Sequence, residues 1–317
     1  MAMARPAHVA VVGAGMAGAS AARRLTEGGL TVTLFDKGRQ VGGRMAHRGD
    51  RATGAGFDHG AQVMRAHHPT FRARLADWQA RGLAAPWGEP GSFTAVPDMT
   101  APVRDLLANL DVEVGRTVTE IARGADGWRL ALAEADEGRV FDALVLTPPS
   151  PQALRLLEAA DLDLPALDRA TYAPCWSLML TGLDGDAVPG DILRRDDGPI
   201  AALFREDTKP GWPASPARLT VHAAAEWSRV HLEESPESVR TALLAALTVQ
   251  FGVSVAPEVA RAHRWRYAAV ETTCGAPCLY DPGWRLGYAG DGCLGPRIEA
   301  AHDSGLALAE RLLADLA

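Results

Sequence analysis

The chain has 317 residues, 47% hydrophobic and 22% charged, enough apolar material for a sizeable core and, at this length, for two intertwined domains. A formal net charge of −7 and a pI of about 5.7 disfavour a nucleic acid or an anionic membrane surface as partner. No apolar run approaches the roughly 18 residues of a membrane span and the first residues carry no cleavage site, so a cytoplasmic protein is expected.

The opening reads strand, tight turn, helix, strand. Residues 8–12 form a short apolar strand, and 16–27 carry small and apolar residues at helical spacing up to Gly28-Gly29. Residues 31–35 are a β-branched strand ending at Asp36. Helices are expected over 70–81 and 101–110, then short strands over 112–114, 118–123, 128–133 and 143–146. Pro148, Pro149 and Pro151 break the chain. Strands over 176–183, 200–204 and 219–223 suggest a mixed sheet. Ser235-Pro236-Glu237 reads as a cap and first turn of a helix to about 251. Strands over 262–267 and 285–289 and a helix over 299–316 complete the chain. Cys274 and Cys278 stand four apart, not two, and the four cysteines read as unpaired structural thiols.

The chemistry begins at Gly13-x-Gly15-x-x-Gly18, between the first strand and the first helix. Gly13 permits the turn, Gly15 lets a pyrophosphate approach the backbone, and Gly18 lets the helix pack on the sheet. The helix start, Met16 and Ala17, offers free N–H groups to phosphate. Asp36 stands where an acid accepts hydrogen bonds from an adenosine ribose, and its charge disfavours a 2′-phosphate. A bare glycine pattern is weak; here strand, helix, second strand and acid are in register, which argues for FAD or NAD.

Asp36-Lys37 is followed by Gly42-Gly43-Arg44, and later come Asp58-His59-Gly60-Ala61-Gln62 and Gly290-Asp291 with Arg297-x-Glu299-Ala300. Together these segments resemble the flavin amine oxidase superfamily. The resemblance implies non-covalent FAD, with Gly43 and Arg44 by the pyrophosphate and Ala61 and Gln62 by the flavin ring. It implies Val118 at the adenine, Gly290 and Asp291 at the ribityl–pyrophosphate region, and Glu299 and Ala300 at a helix start facing the flavin. It also implies an α/β fold: a Rossmann-like FAD-binding domain (1–65, 111–160 and 285–317) with an inserted mixed-sheet substrate domain (66–110 and 161–284).

Within that superfamily the chain is most similar to the bacterial renalases, through Lys209-Pro210-Gly211, Glu226-Trp227-Ser228 and His263-Arg264-Trp265-x-Tyr267. That resemblance implies oxidation of misreduced 2- and 6-dihydro isomers of NAD(P)H, hydride passing to flavin N5 and dioxygen reoxidising the flavin to give hydrogen peroxide. Val63 stands where renalases carry an aromatic, Asp98-Met99 where they carry Gly-Met, and Ala300 where a glycine is usual. Strand alternation puts His263, Trp265 and Tyr267 on one face, Arg264 and Arg266 on the other. With Gln62, those three ring-bearing residues are the candidates for the substrate side. Neither lysine, Lys37 or Lys209, falls where amine oxidases place the lysine that meets flavin N5. An amine oxidase, a small-molecule dehydrogenase or desaturase, and a flavin-binding protein without turnover stay open as alternatives.

Overall fold

The computed structural model describes residues 6–49, 56–134, 137–183, 187–214, 216–253 and 255–316. Its first layer is a six-stranded sheet in the order Leu279–Asp281, Leu286–Tyr288, Ala143–Leu146, His8–Val12, Thr31–Asp36, Asp111–Val114. Every neighbouring pair is parallel except the edge pair Leu279–Asp281 with Leu286–Tyr288. The central strand is apolar and buried from Val9 to Val12, as parallel strands covered on both faces must be. After it, Gly13 turns with φ +105°, and Met16–Glu27 runs back over the sheet, burying Met16 to Ala22 and Leu25. The chain passes from His8–Val12 to Thr31–Asp36 on one side and returns at Ala143–Leu146 on the other. The strand order thus reverses beside Gly13, where α/β sheets bind ligands.

The second layer is a five-stranded sheet, Ile192–Arg194, Ile200–Arg205, Arg218–Ala223, Thr171–Thr181 and Ala260–Thr272. All four of its pairings are antiparallel, so the expected mixed sheet is corrected: its neighbours are strands that return alongside one another. Helix Pro236–Phe251, capped by the Ser235 hydroxyl accepting the Ser238 N–H, covers one face with Val239, Leu243 and Leu247.

Two further readings change. Residues 66–110, expected in the second domain, join the first: Phe71, Leu75, Trp78, Val103 and Leu106 pack with Val9, Val11 and Ala19. The prolines at 148–151 start a helix rather than only interrupting the chain. Ser150–Ala159 has Pro149 at its cap and a proline in its first turn, where no N–H is needed. No helix is long and apolar enough to cross a membrane among the described residues.

Candidate active site

A cleft of about 1130 Å³ runs from the Gly13 turn to the strand Ala260–Thr272. At one end it is lined by Gly13, Gly15, Met16 and Ala17, with Asp36, Lys37 and Val118. Gly18 is not on its wall. A Cβ there would lie 1.9 Å from the Gly13 carbonyl oxygen, so this glycine serves helix packing. Gly15 is different. It has ordinary extended backbone, and a Cβ would come no nearer than 3.9 Å to Gly43 Cα, so the protein itself leaves room for a side chain. Gly15 and Gly43 approach each other closely on the cleft wall, where a Cβ on Gly43 would lie 3.3 Å from Gly15 Cα. The helix start has no side-chain cap and no acid in its first turn, so its N–H groups suit a pyrophosphate.

Asp36 accepts the Ala14 N–H at 2.7 Å and the Gly38 N–H at 2.6 Å, one on each oxygen. Burial raises its pKa against those two bonds. Each oxygen keeps a second lone pair for a ribose hydroxyl. Lys37 reaches Gln152 at 3.1 Å beside it.

Further along, Gly43, Arg44, Gly290 and Asp291 line the cleft. Arg44 donates to both oxygens of Asp291 and lies 5.7 Å from the Tyr172 ring centroid. Its charge is therefore committed to Asp291. Glu299 and Ala300, expected at the cofactor, are not on the wall; Arg297, Ile298 and Ala301 are. The helical period turns 298 and 301 to the same side and 299 and 300 away. Glu299 instead accepts the backbone N–H groups of His67 and His68, at the start of helix Pro69–Ala80.

The far end is a corner of three rings. His59 stacks on Trp265 at 5.2 Å and 27°, and meets His263 edge-on at 4.7 Å. His263 and Trp265 are 4.4 Å apart, and Trp265 Nε1 donates to the His59 carbonyl at 2.8 Å. Burial, aided by His263 and Arg48, lowers His59 to about 3; burial and Arg48 lower His263 to about 4. Both imidazoles are uncharged at neutral pH. Tyr267 also lines the cleft, its hydroxyl accepting from Arg155 at 3.0 Å. Arg264 and Arg266 pair with Glu233.

Ala61 is on the wall, but Gln62 is not. The Gln62 side chain is buried, donating to the Asp58 carbonyl and accepting from Lys209 Nζ at 2.7 Å. Lys209 is fully enclosed, 2.8 Å from Asp58 and 2.7 Å from Glu206. A ring-contacting role for Gln62 is corrected to an anchoring one. Burial opposes the charge on Asp58, but Lys209 and His47 outweigh it and hold its pKa low, whereas burial pushes Glu206 up. His59 and Tyr172 were not singled out from sequence. His59 had a readable signal, because 59, 61, 63, 65 and 67 line the cleft while 58, 60, 62 and 64 do not, the alternation of an extended segment.

Residues 11–78 match the family described as the NAD(P)-binding Rossmann-like domain. Among solved structures the chain is similar to a protein described as a protoporphyrinogen oxidase from Exiguobacterium sp. 255-15, at 14% identity and TM-score 0.73, covering 98% of this chain and 99% of that one. It is similar to a fatty acid isomerase from P. acnes that produces CLA, at 14% identity and TM-score 0.70, with coverage of 98% and 99%. It is also similar to the cyclohexylamine oxidase of Brevibacterium oxydans IH-35A, at 13% identity and TM-score 0.68, with coverage of 98% and 100%. The likeness shows the fold alone: a Rossmann-like domain with a second, antiparallel-sheet domain. Such a fold hosts oxidases and an isomerase alike, so function rests on the site.

Proposed function

We propose that the chain is an FAD-dependent oxidoreductase that oxidises a misreduced, 2- or 6-dihydro, isomer of NAD(P). The observation that carries this reading is the cleft itself, which joins a pyrophosphate cradle to a wall of uncharged rings. Gly15, Gly43, the helix start and Asp36 would hold the ADP half of FAD. Bound there, FAD supplies a two-electron acceptor. The residues at the other end have three tasks: to stack a flat ring, to orient it and to keep water away. Trp265, His59 and His263 are shaped for the first two, and the burial of His59 serves the third.

A dihydropyridine releases hydride by the push of its own ring nitrogen, so the site needs no strong base. The neutral imidazoles accord with that. They also weigh against the amine oxidase reading, in which a protonated amine must be received and stripped of a proton. Among the described residues the cleft wall holds one lysine, Lys37, at the ribose end; the other, Lys209, is sealed behind the wall.

The test is anaerobic titration of the flavin-loaded protein, followed at the flavin absorbance, with 6-dihydro-NAD, NADH and a panel of amines. Rapid bleaching by 6-dihydro-NAD, with little from NADH or amines, is expected. Bleaching by an amine alone would assign the amine oxidase reading instead. A flavin that no donor reduces would leave a binding protein.

A further inference from the structure

The geometry points to His59 as the residue that recognises the carboxamide of the nicotinamide ring, through Nε2. The inference rests on the proposed function and assigns a role within the same site. His59 is 6% exposed and lies on the cleft wall, yet its imidazole makes no hydrogen bond to any described residue. Nδ1 is sealed from solvent with no partner. Nε2 is neither sealed nor bonded, so it is the ring's one polar atom that opens on the cleft. A ring nitrogen left unpaired on a cleft wall is free to bond a ligand, as donor or acceptor according to tautomer.

The ring cannot turn away from that duty. Trp265 stacks on it, His263 closes its edge, and the His59 carbonyl is held by Trp265 Nε1. Its own backbone lies one residue from Asp58, whose carboxylate is pinned by Lys209. What it offers is a hydrogen bond beside the Trp265 and His263 rings. A nicotinamide carries one polar substituent in its ring plane, a carboxamide, which both donates and accepts. An imidazole nitrogen therefore matches it in either tautomer. An apolar chain would leave Nε2 unpaired.

Three variants separate this role from a structural one. The amide nitrogen of His59→Gln reaches the place of Nε2; that of His59→Asn reaches only the place of Nδ1; His59→Leu has neither. Each is loaded with FAD, and binding is read in two ways: the apparent Kd of 6-dihydro-NAD in rapid-mixing reduction, and the Kd of NAD⁺ from the perturbation of the oxidised flavin spectrum. About a tenfold weakening is expected for Leu and Asn in both, with Gln within about threefold of the parent. Bound FAD should be unchanged in all three. If His59→Leu binds both ligands as the parent does, or if Asn and Gln behave alike, the assignment falls while the proposed function stands. If the parent protein itself is not reduced by 6-dihydro-NAD, the two fall together.

Discussion

Arg44 places its guanidinium on both carboxylate oxygens of Asp291, at 2.7 and 2.5 Å, although 247 residues separate them. One comes from the second glycine pair, the other from the start of the C-terminal segment, and together they close the middle of the cleft. With side chains 28% and 10% exposed, the pair is drier than a surface bridge. Asp291→Asn should lower stability by about 1–3 kcal/mol, leaving part of the guanidinium unpaired. The fraction of protein that retains flavin should fall with it. Calorimetry and the ratio of flavin to protein absorbance on the purified variant check both.

Gly15 and Gly18 should separate under the same substitution. Gly15→Ala meets nothing closer than 3.9 Å, so the flavin-free protein should melt within a few degrees of the parent while FAD affinity drops at least about tenfold. Gly18→Ala drives a methyl into the Gly13 carbonyl, so its flavin-free form should melt markedly lower. Equal losses of apo-protein stability in the two would show that Gly15 is a packing glycine after all.

Glu299 tests the reassignment of a residue expected at the cofactor. Glu299→Gln weakens the cap on helix Pro69–Ala80 and should cost about 1–3 kcal/mol in urea unfolding. Flavin content should hold. A variant that unfolds normally but sheds flavin would return Glu299 to the cofactor.

Within the buried trio of Asp58, Lys209 and Glu206, the glutamate gives stability a pH dependence of known sign. Burial raises the pKa of Glu206 in the folded protein, so its contribution is present below the ordinary glutamate value and is lost as pH rises through the raised one. Glu206→Gln removes that loss. The variant should gain stability relative to the parent as pH rises from the ordinary glutamate value toward the raised one, read from urea unfolding at several pH values. Lys209→Met should instead cost about 3–5 kcal/mol near neutral pH, since it leaves two carboxylates enclosed without a cation.

With His59 lowered to about 3 and His263 to about 4, neither should titrate between pH 5 and 8. The limiting rate of anaerobic flavin reduction by 6-dihydro-NAD should therefore be flat over that range. An inflection near pH 6.5, removed by His263→Gln, would mean that the ring wall is wetter than its burial indicates.

Much of the dinucleotide end was legible because it is local. The Gly13 turn, the helix start and Asp36 lie within one βαβ unit, and each requirement falls on a residue near its neighbours in sequence. Gln62 and Glu299 were misread for one shared reason: the motif places the backbone, but distant partners decide where the side chain goes. Lys209 draws Gln62 off the wall, and the N–H groups of His67 and His68 draw Glu299. The pairing sense of the second sheet was hidden too, because strand patterns do not carry their neighbours' direction. His59 could have been found by counting in twos from Ala61, since the odd positions from 59 to 67 face the cleft.

The sheet order also governs how this protein can be made. Strand Ala143–Leu146 takes His8–Val12 on one edge early, but its other edge waits for Leu286–Tyr288, far later in the sequence. During synthesis an apolar strand edge thus stays open until Leu286–Tyr288 has been made. Loss of the C-terminal segment would remove Asp291 and the final helix, and would also uncover that edge for pairing between molecules. The expected fate of such a shortened chain is aggregation, before any defect in its chemistry could be measured.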